Sequence, residues 1–257
     1  MDYGEITRDA FSFMKEGVFA NTGRWLRLIL AAIIIGIPLN GYAMRIYRGP
    51  PAAPEVDRWG NLFIDGLKLL VVGLIYAIPI ILLSLVIYWP VYGGLMRMMQ
   101  GDPSAKAALA NWAPNPGLLA LLYIVEIIIA IIVPIAQIRF ARSGSFAEAF
   151  NFGAILETIG SIGWLRYILA LIFIALIIGI PVGILFIAFI VLAGIAIAVS
   201  RFSIGVILGC IAVAVIVGLL LIPLITVFQA RYMTRVYDSA SPPVPAAQAS
   251  PASPVAV

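Results

Sequence analysis

A few polar side chains stand inside or beside long apolar runs, where they could do chemistry: Glu126, Asn40, Tyr76, Gln137, Gln229 and the single cysteine, Cys210. Glu126 is the one acid deep in such a run, and an ionised carboxylate in hydrocarbon costs on the order of 3 kcal/mol or more. It must therefore face the protein interior, paired or protonated. Two roles fit it: an ion- or proton-coupling site, or a buried carboxyl that fixes helix packing through one hydrogen bond, which is the simpler reading. Asn40 and Tyr76 complete a candidate intramembrane polar site with Glu126, and Gln137 and Gln229 are further candidate partners. Cys210, amid apolar neighbours, is a packing residue.

Other chemistry is excluded by residue type. The chain has no histidine and one cysteine, which removes His-based catalysis, most metal sites and any disulfide within the chain. Asp57, Asp65 and Asp102 fall in loops or helix starts, where capping accounts for them. No catalytic residues, no cofactor and no metal are expected, and the chain is read as not an enzyme.

The elements that must hold these groups follow from apolarity. Hydrophobic residues make up 63% of the 257 and charged residues 11%, with a mean hydropathy of +1.10, far from the balance of a soluble domain. A spanning helix needs about 20 apolar residues. Regions that satisfy this run from Trp25 to Met44, interrupted by Pro38 and Asn40; from Leu67 past Pro79 to Tyr92; from Leu118 to Ile138; from Trp164 through the uncharged stretch Tyr167 to Ser200; and from Phe202 to Phe228. The fourth would be about 50 Å long as one helix, and without polar turn residues it is read as one long or kinked helix, not two. Continuous apolarity excludes the alternation of a barrel. The fold class is all-α, a polytopic transmembrane helical bundle of about five spans, with six as the alternative.

Outside the spans, Asp2, Glu5, Asp9, Ser12 and Glu16 alternate at helical spacing with Ile6, Ala10, Phe13, Met14 and Gly17. This amphipathic helix either lies in the headgroup plane or packs on the bundle. Gly49 to Pro54 is a stiff extended loop, after which Asp57 caps a short helix presenting Trp59, Leu62 and Phe63. Asp102 before Pro103 reads as a cap with proline at the first helical position. Residues 1–238 form one membrane domain, and 239–257, rich in Pro, Ala and Ser, a disordered tail.

The chain also repeats itself. Ala10-Phe11-Ser12-Phe13 matches Ala149-Phe150-Asn151-Phe152, and Trp25-Leu26-Arg27 matches Trp164-Leu165-Arg166, at one offset; Gly36-Ile37-Pro38 matches Gly179-Ile180-Pro181 at a slightly larger one. Two units, 3–100 and 142–238, joined by a third span at 118–138, would then be separated by an odd number of crossings, and so form an inverted repeat. With that topology the cations divide almost evenly between the two faces, a slight excess placing the N-terminus outside.

The stretches Gly41-Tyr42-Ala43-Met44-Arg45, Trp59 to Lys68, Ile75-Tyr76-Ala77-Ile78-Pro79 and Ala141-Arg142 through Phe152 resemble the archaeal membrane family catalogued as domain of unknown function 4013. The resemblance implies a multi-pass protein of an archaeal cell membrane and brings no activity, ligand or site residues. The expected function is a non-catalytic scaffold, assembly or lipid-contacting protein; the alternative is a small transporter or channel using Glu126. The expected partners are the lipid bilayer and a homo-oligomeric or other membrane-protein partner. Nucleic acid is not among them, since the 16 Lys and Arg are scattered, not clustered.

Overall fold

A computed structural model describes residues 2–34 and 36–240. Among the described residues the elements are helical: α1 (Tyr3–Met14), α2 (Thr22–Ile33), α3 (Ile37–Tyr47), α4 (Trp59–Met99), α5 (Pro103–Ala110), α6 (Pro116–Ser143), α7 (Phe152–Ile162), α8 (Trp164–Val199) and α9 (Ile204–Asp238). Four of them, α4, α6, α8 and α9, are long and apolar enough to cross a membrane. The protein is an all-helical, multi-pass membrane protein. The expected tail lies outside the described residues from position 241 onward.

Local sequence explains most helix starts. Asp2 accepts the Gly4 and Glu5 amides at 2.8 and 3.2 Å to open α1. Asn21, Asp102, Asn115 and Asn151 do the same for α2, α5, α6 and α7, each satisfying donors that a helix leaves unpaired. Helix α8 runs unbroken from Trp164 to Val199, as its lack of turn residues requires. Asp57 departs from expectation: α4 begins at Trp59 with no side-chain cap, because Asp57 instead receives the Arg45 guanidinium at 2.6 Å.

The first apolar region also departs from expectation. Trp25 to Met44 is not one helix but parts of two, α2 and α3, hinged at Gly36, whose φ of 68° lies in the left-handed region. Helices of 12 and 11 residues rise about 18 and 16 Å, well short of a hydrocarbon core of about 30 Å. Their outer ends meet: Arg24 at the start of α2 and Pro51 to Ala53 after α3 line one recess with Asp9 and Arg231. The pair therefore leaves and re-enters one layer as a hairpin. Helix α3 is held by α4, where a Cβ on Gly41 would overlap the Leu62 carbonyl and one on Gly66 the Ile37 carbonyl. Only glycine permits so close a crossing.

This hairpin changes the topology. Helix α4 starts in the layer, beside Arg58, and ends about 60 Å away at Met99; α6 returns, so that Arg142 meets Asp238 in the layer. Helix α8 starts there too, its Arg166 carbonyl accepting the Tyr3 hydroxyl at 3.1 Å. An even number of crossings thus separates α1 from α7, and both helices border the same layer. The four long helices by themselves place two crossings between α1 and α7, where an inverted repeat calls for an odd number.

Candidate functional site

Two polar regions stand out, a layer of ion pairs and an uncharged cavity beside it. In the layer, Asp9 of α1 receives Arg231 Nε at 2.7 Å and Arg235 Nε at 2.8 Å, both from α9. Arg231 also donates to the Pro50 carbonyl at 2.6 Å and lies over the Phe13 ring at 4.4 Å. The amphipathic helix is thus packed on the bundle: Ala10, Phe13 and Met14 are buried, and Asp9 of its acidic stripe reaches α9 while Asp2, Glu5 and Glu16 stay exposed. The hydrogen bond from Arg235 is the largest reason that the Asp9 carboxyl sits at about 2, outweighing a burial that acts the other way.

Similar pairs tie the remaining elements. Arg24 binds Glu55, and Arg139 binds Glu148. Arg48 reaches Asp65 at 2.8 Å and the Ala141 carbonyl at 3.3 Å, while Arg142 donates to the Tyr47 carbonyl at 3.1 Å and to Asp238 at 2.5 Å. The hydrogen bond from Arg139 holds the Glu148 carboxyl below its ordinary range. Exposed pairs of this kind contribute about 0–1 kcal/mol each. Arg231 differs, being only 4% exposed, so removing its partner would strand a buried charge.

Beside the layer lies a cavity of about 410 Å³ between α3, α4, α6 and α9, lined by Asn40, Ala43, Tyr47, Leu69, Leu70, Gly73, Leu74, Gln137, Thr226 and Gln229. Asn40, Ala43 and Tyr47 sit three and four residues apart and so share a face of α3. Thr226 and Gln229 do the same on α9. The Tyr47 hydroxyl donates to Gln137 Oε1 at 3.4 Å, and the Thr226 hydroxyl donates to the Ile222 carbonyl at 2.8 Å. The side chains of Asn40 and Gln229 make no hydrogen bond among the described residues. Among the described residues no charged one lines the cavity.

The expected site of Glu126, Asn40 and Tyr76 is not assembled. Asn40 lines the cavity with Gln137 and Gln229, two of the partners expected from sequence. Tyr76 is turned away, its hydroxyl donating to the Ala149 carbonyl at 2.6 Å and its ring stacked on Phe150 at 5.3 Å. Glu126, on the part of α6 toward the far end, is absent from the cavity lining, and its side chain has no hydrogen bond or ion pair among the described residues. Sequence reasoning passed over Tyr47 and Thr226, which helical spacing from Asn40 and Gln229 would have found. It also missed the pairing of Asp9 with Arg231, for which residues more than 220 apart give no local signal. No group of three or more His, Cys, Asp or Glu able to hold a metal occurs among the described residues.

A family described as a protein of unknown function (DUF4013) matches residues 26–191. No curated protein and no solved structure matches the chain. The match begins in α2 and ends in α8, taking in the α3–α4 crossing, Asn40 and Gln137, and leaving out α1, α9 and Gln229. It covers well over half of the sequence, and the chain belongs to this family.

Proposed function

We propose that this member of the family is a non-catalytic scaffold of the cell membrane, assembling in the plane of the bilayer with other membrane helices, copies of itself included. The observation that carries this reading is the contrast between the two ends of the long helices. No residue between Ile174 of α8 and Pro223 of α9 is buried, so the far halves of this hairpin offer lipid-level apolar surface to a neighbour. In the layer, by contrast, Asp9, Glu55, Asp57, Asp65, Glu148 and Asp238 are engaged in ion pairs, most of which tie elements together, an arrangement suited to holding shape. Transport through Glu126 finds no support in its position, apart from the polar cavity.

The orientation follows from the revised topology. Of the 16 Lys and Arg, only Arg97, Lys106 and Arg201 belong to the far-end connections, and the others lie in or within a few turns of the layer. By the positive-inside rule the layer faces the cytoplasm. This reverses the orientation expected from five crossings.

Photo-crosslinking from Phe186, 62% exposed on α8, tests the scaffold reading in native membranes. Protein adducts of discrete mass are expected, and adducts to lipid alone would overturn it. Reconstituted protein should also leave liposomes as tight to protons as protein-free ones; a flux that Glu126→Gln abolishes would establish transport instead. With Cys210 replaced, single cysteines at Ser12 and Ser145 should label from one side of sealed vesicles, the cytoplasmic side. Labelling from opposite sides would refute this topology.

A further inference from the structure

The cavity between α3, α4, α6 and α9 has a chemistry that the scaffold reading does not use, and it stands whether or not that reading holds. Its polar groups come from three carboxamides, Asn40, Gln137 and Gln229, and two hydroxyls, Tyr47 and Thr226. Much of their hydrogen-bonding capacity is unspent: among the described residues Asn40 and Gln229 have no side-chain partner, and Gln137 only accepts, from Tyr47 at 3.4 Å. Gln229 is exposed and Asn40 and Gln137 are half-buried, so the cavity is open and these groups can be reached by a ligand from outside, where lipid would offer them few other partners.

We propose that this cavity binds an uncharged polyhydroxylated group, either the sugar headgroup of a membrane glycolipid or a free small sugar. A carboxamide offers a donor and an acceptor side by side, which complements a vicinal diol, where each hydroxyl both gives and takes a hydrogen bond. The absence of any charged side chain in the lining selects against phosphate, carboxylate and ammonium groups, whose desolvation nothing there would offset. The volume of about 410 Å³ falls within the range of small-molecule sites, roughly 300–1,000 Å³. Leu74, half exposed on α4, forms part of the wall and gives a glycolipid chain an apolar surface to follow.

The test uses the full-length protein in nanodiscs. Native mass spectrometry is run with monoglucosyl diacylglycerol, phosphatidylserine and phosphatidylcholine present in equal amounts, and saturation-transfer NMR with free glucose in nanodiscs of phosphatidylcholine alone. Wild type should retain the glucolipid above both phospholipids, or give a glucose signal; the first result alone identifies a lipid headgroup, the second alone a soluble sugar. Asn40→Leu, Gln137→Met and Gln229→Leu should each lower that binding tenfold or more, with helicity and thermal midpoint unchanged, whereas Gln100→Leu at the far end should leave binding as it is. Should Asn40→Leu fail to fold, the other two variants carry the test. Wild type binding neither probe, equal retention of phosphatidylserine, or unaltered binding by the folded cavity variants would each overturn the proposal.

Discussion

The tripeptide Gly-Ile-Pro occurs at 36–38 and at 179–181, and it folds in two ways. At Gly36 the chain enters the left-handed region and turns, ending α2 and opening α3 with proline in its first turn. At Gly179 the helix continues through Pro181 without interruption. The surroundings account for the difference. Beyond Pro38 come Asn40 and Gly41, and Gly41 allows α3 to settle against α4 at backbone distance; the turn's own amides stay paired, Gly36 N–H to the Ala32 carbonyl at 3.0 Å and Ile37 N–H to Ile34 at 3.2 Å. Beyond Pro181 come Val182, Ile184, Leu185 and Phe186, all well exposed. Backbone facing lipid keeps its helical hydrogen bonds because nothing else can supply them. A potential break is thus realised only where a neighbouring helix rewards it.

Substitutions can break this comparison at graded cost. The largest effect is expected at Gly66→Val, whose side chain would be driven into the Ile37 carbonyl; separating α3 from α4 should cost on the order of 3 kcal/mol, read as a fall in thermal midpoint in detergent. Should stability be unaffected, the close crossing is not what holds the hairpin. Next comes Gly36→Ala, which forces a side chain into a positive φ and should cost about 1–2 kcal/mol. The matching Gly179→Ala, mid-helix with open space around it, should stabilise by up to about 1 kcal/mol. Opposite signs at the two positions are the signature of the two folds; equal signs would mean that Gly36 does not turn.

The smallest effect concerns acid. Asp9, held at about 2 against an ordinary 3.8, is bound as a carboxylate more tightly in the folded state than in the unfolded one. Its contribution is therefore complete above about pH 4 and is lost as pH falls toward 2. Partly exposed as it is, the carboxylate contributes on the order of 1 kcal/mol once solvent screening is counted. Hydrogen exchange should show α1 loosening over that interval, and Asp9→Asn, already loosened at neutral pH, should show less additional change. An identical acid response in the variant would mean that other carboxylates govern the release.

Much of the architecture could be read from residues alone. The apolar runs at Leu67 to Tyr92, Leu118 to Ile138, Tyr167 to Ser200 and Phe202 to Phe228 appear as α4, α6, α8 and α9, because transfer into lipid and backbone pairing are properties of a segment itself. Asp102 with Pro103 opens α5 for the same local reason. The candidate site was legible only residue by residue: Asn40, Gln137 and Gln229 could be named as polar groups in apolar surroundings, but nothing in spacing says that they converge while Glu126 and Tyr76 do not.

Solvent, helicity and the long spanning segments were thus determined by the sequence itself, since each depends on free energies summed over neighbouring residues. Tertiary structure decided the rest. The hairpin of α2 and α3, the single side shared by α1 and α7, and the meeting of three carboxamides depend on the glycine crossing and on Asp9 finding Arg231 and Arg235. Those contacts join residues distant in the chain, and their energies exist only once the helices have packed.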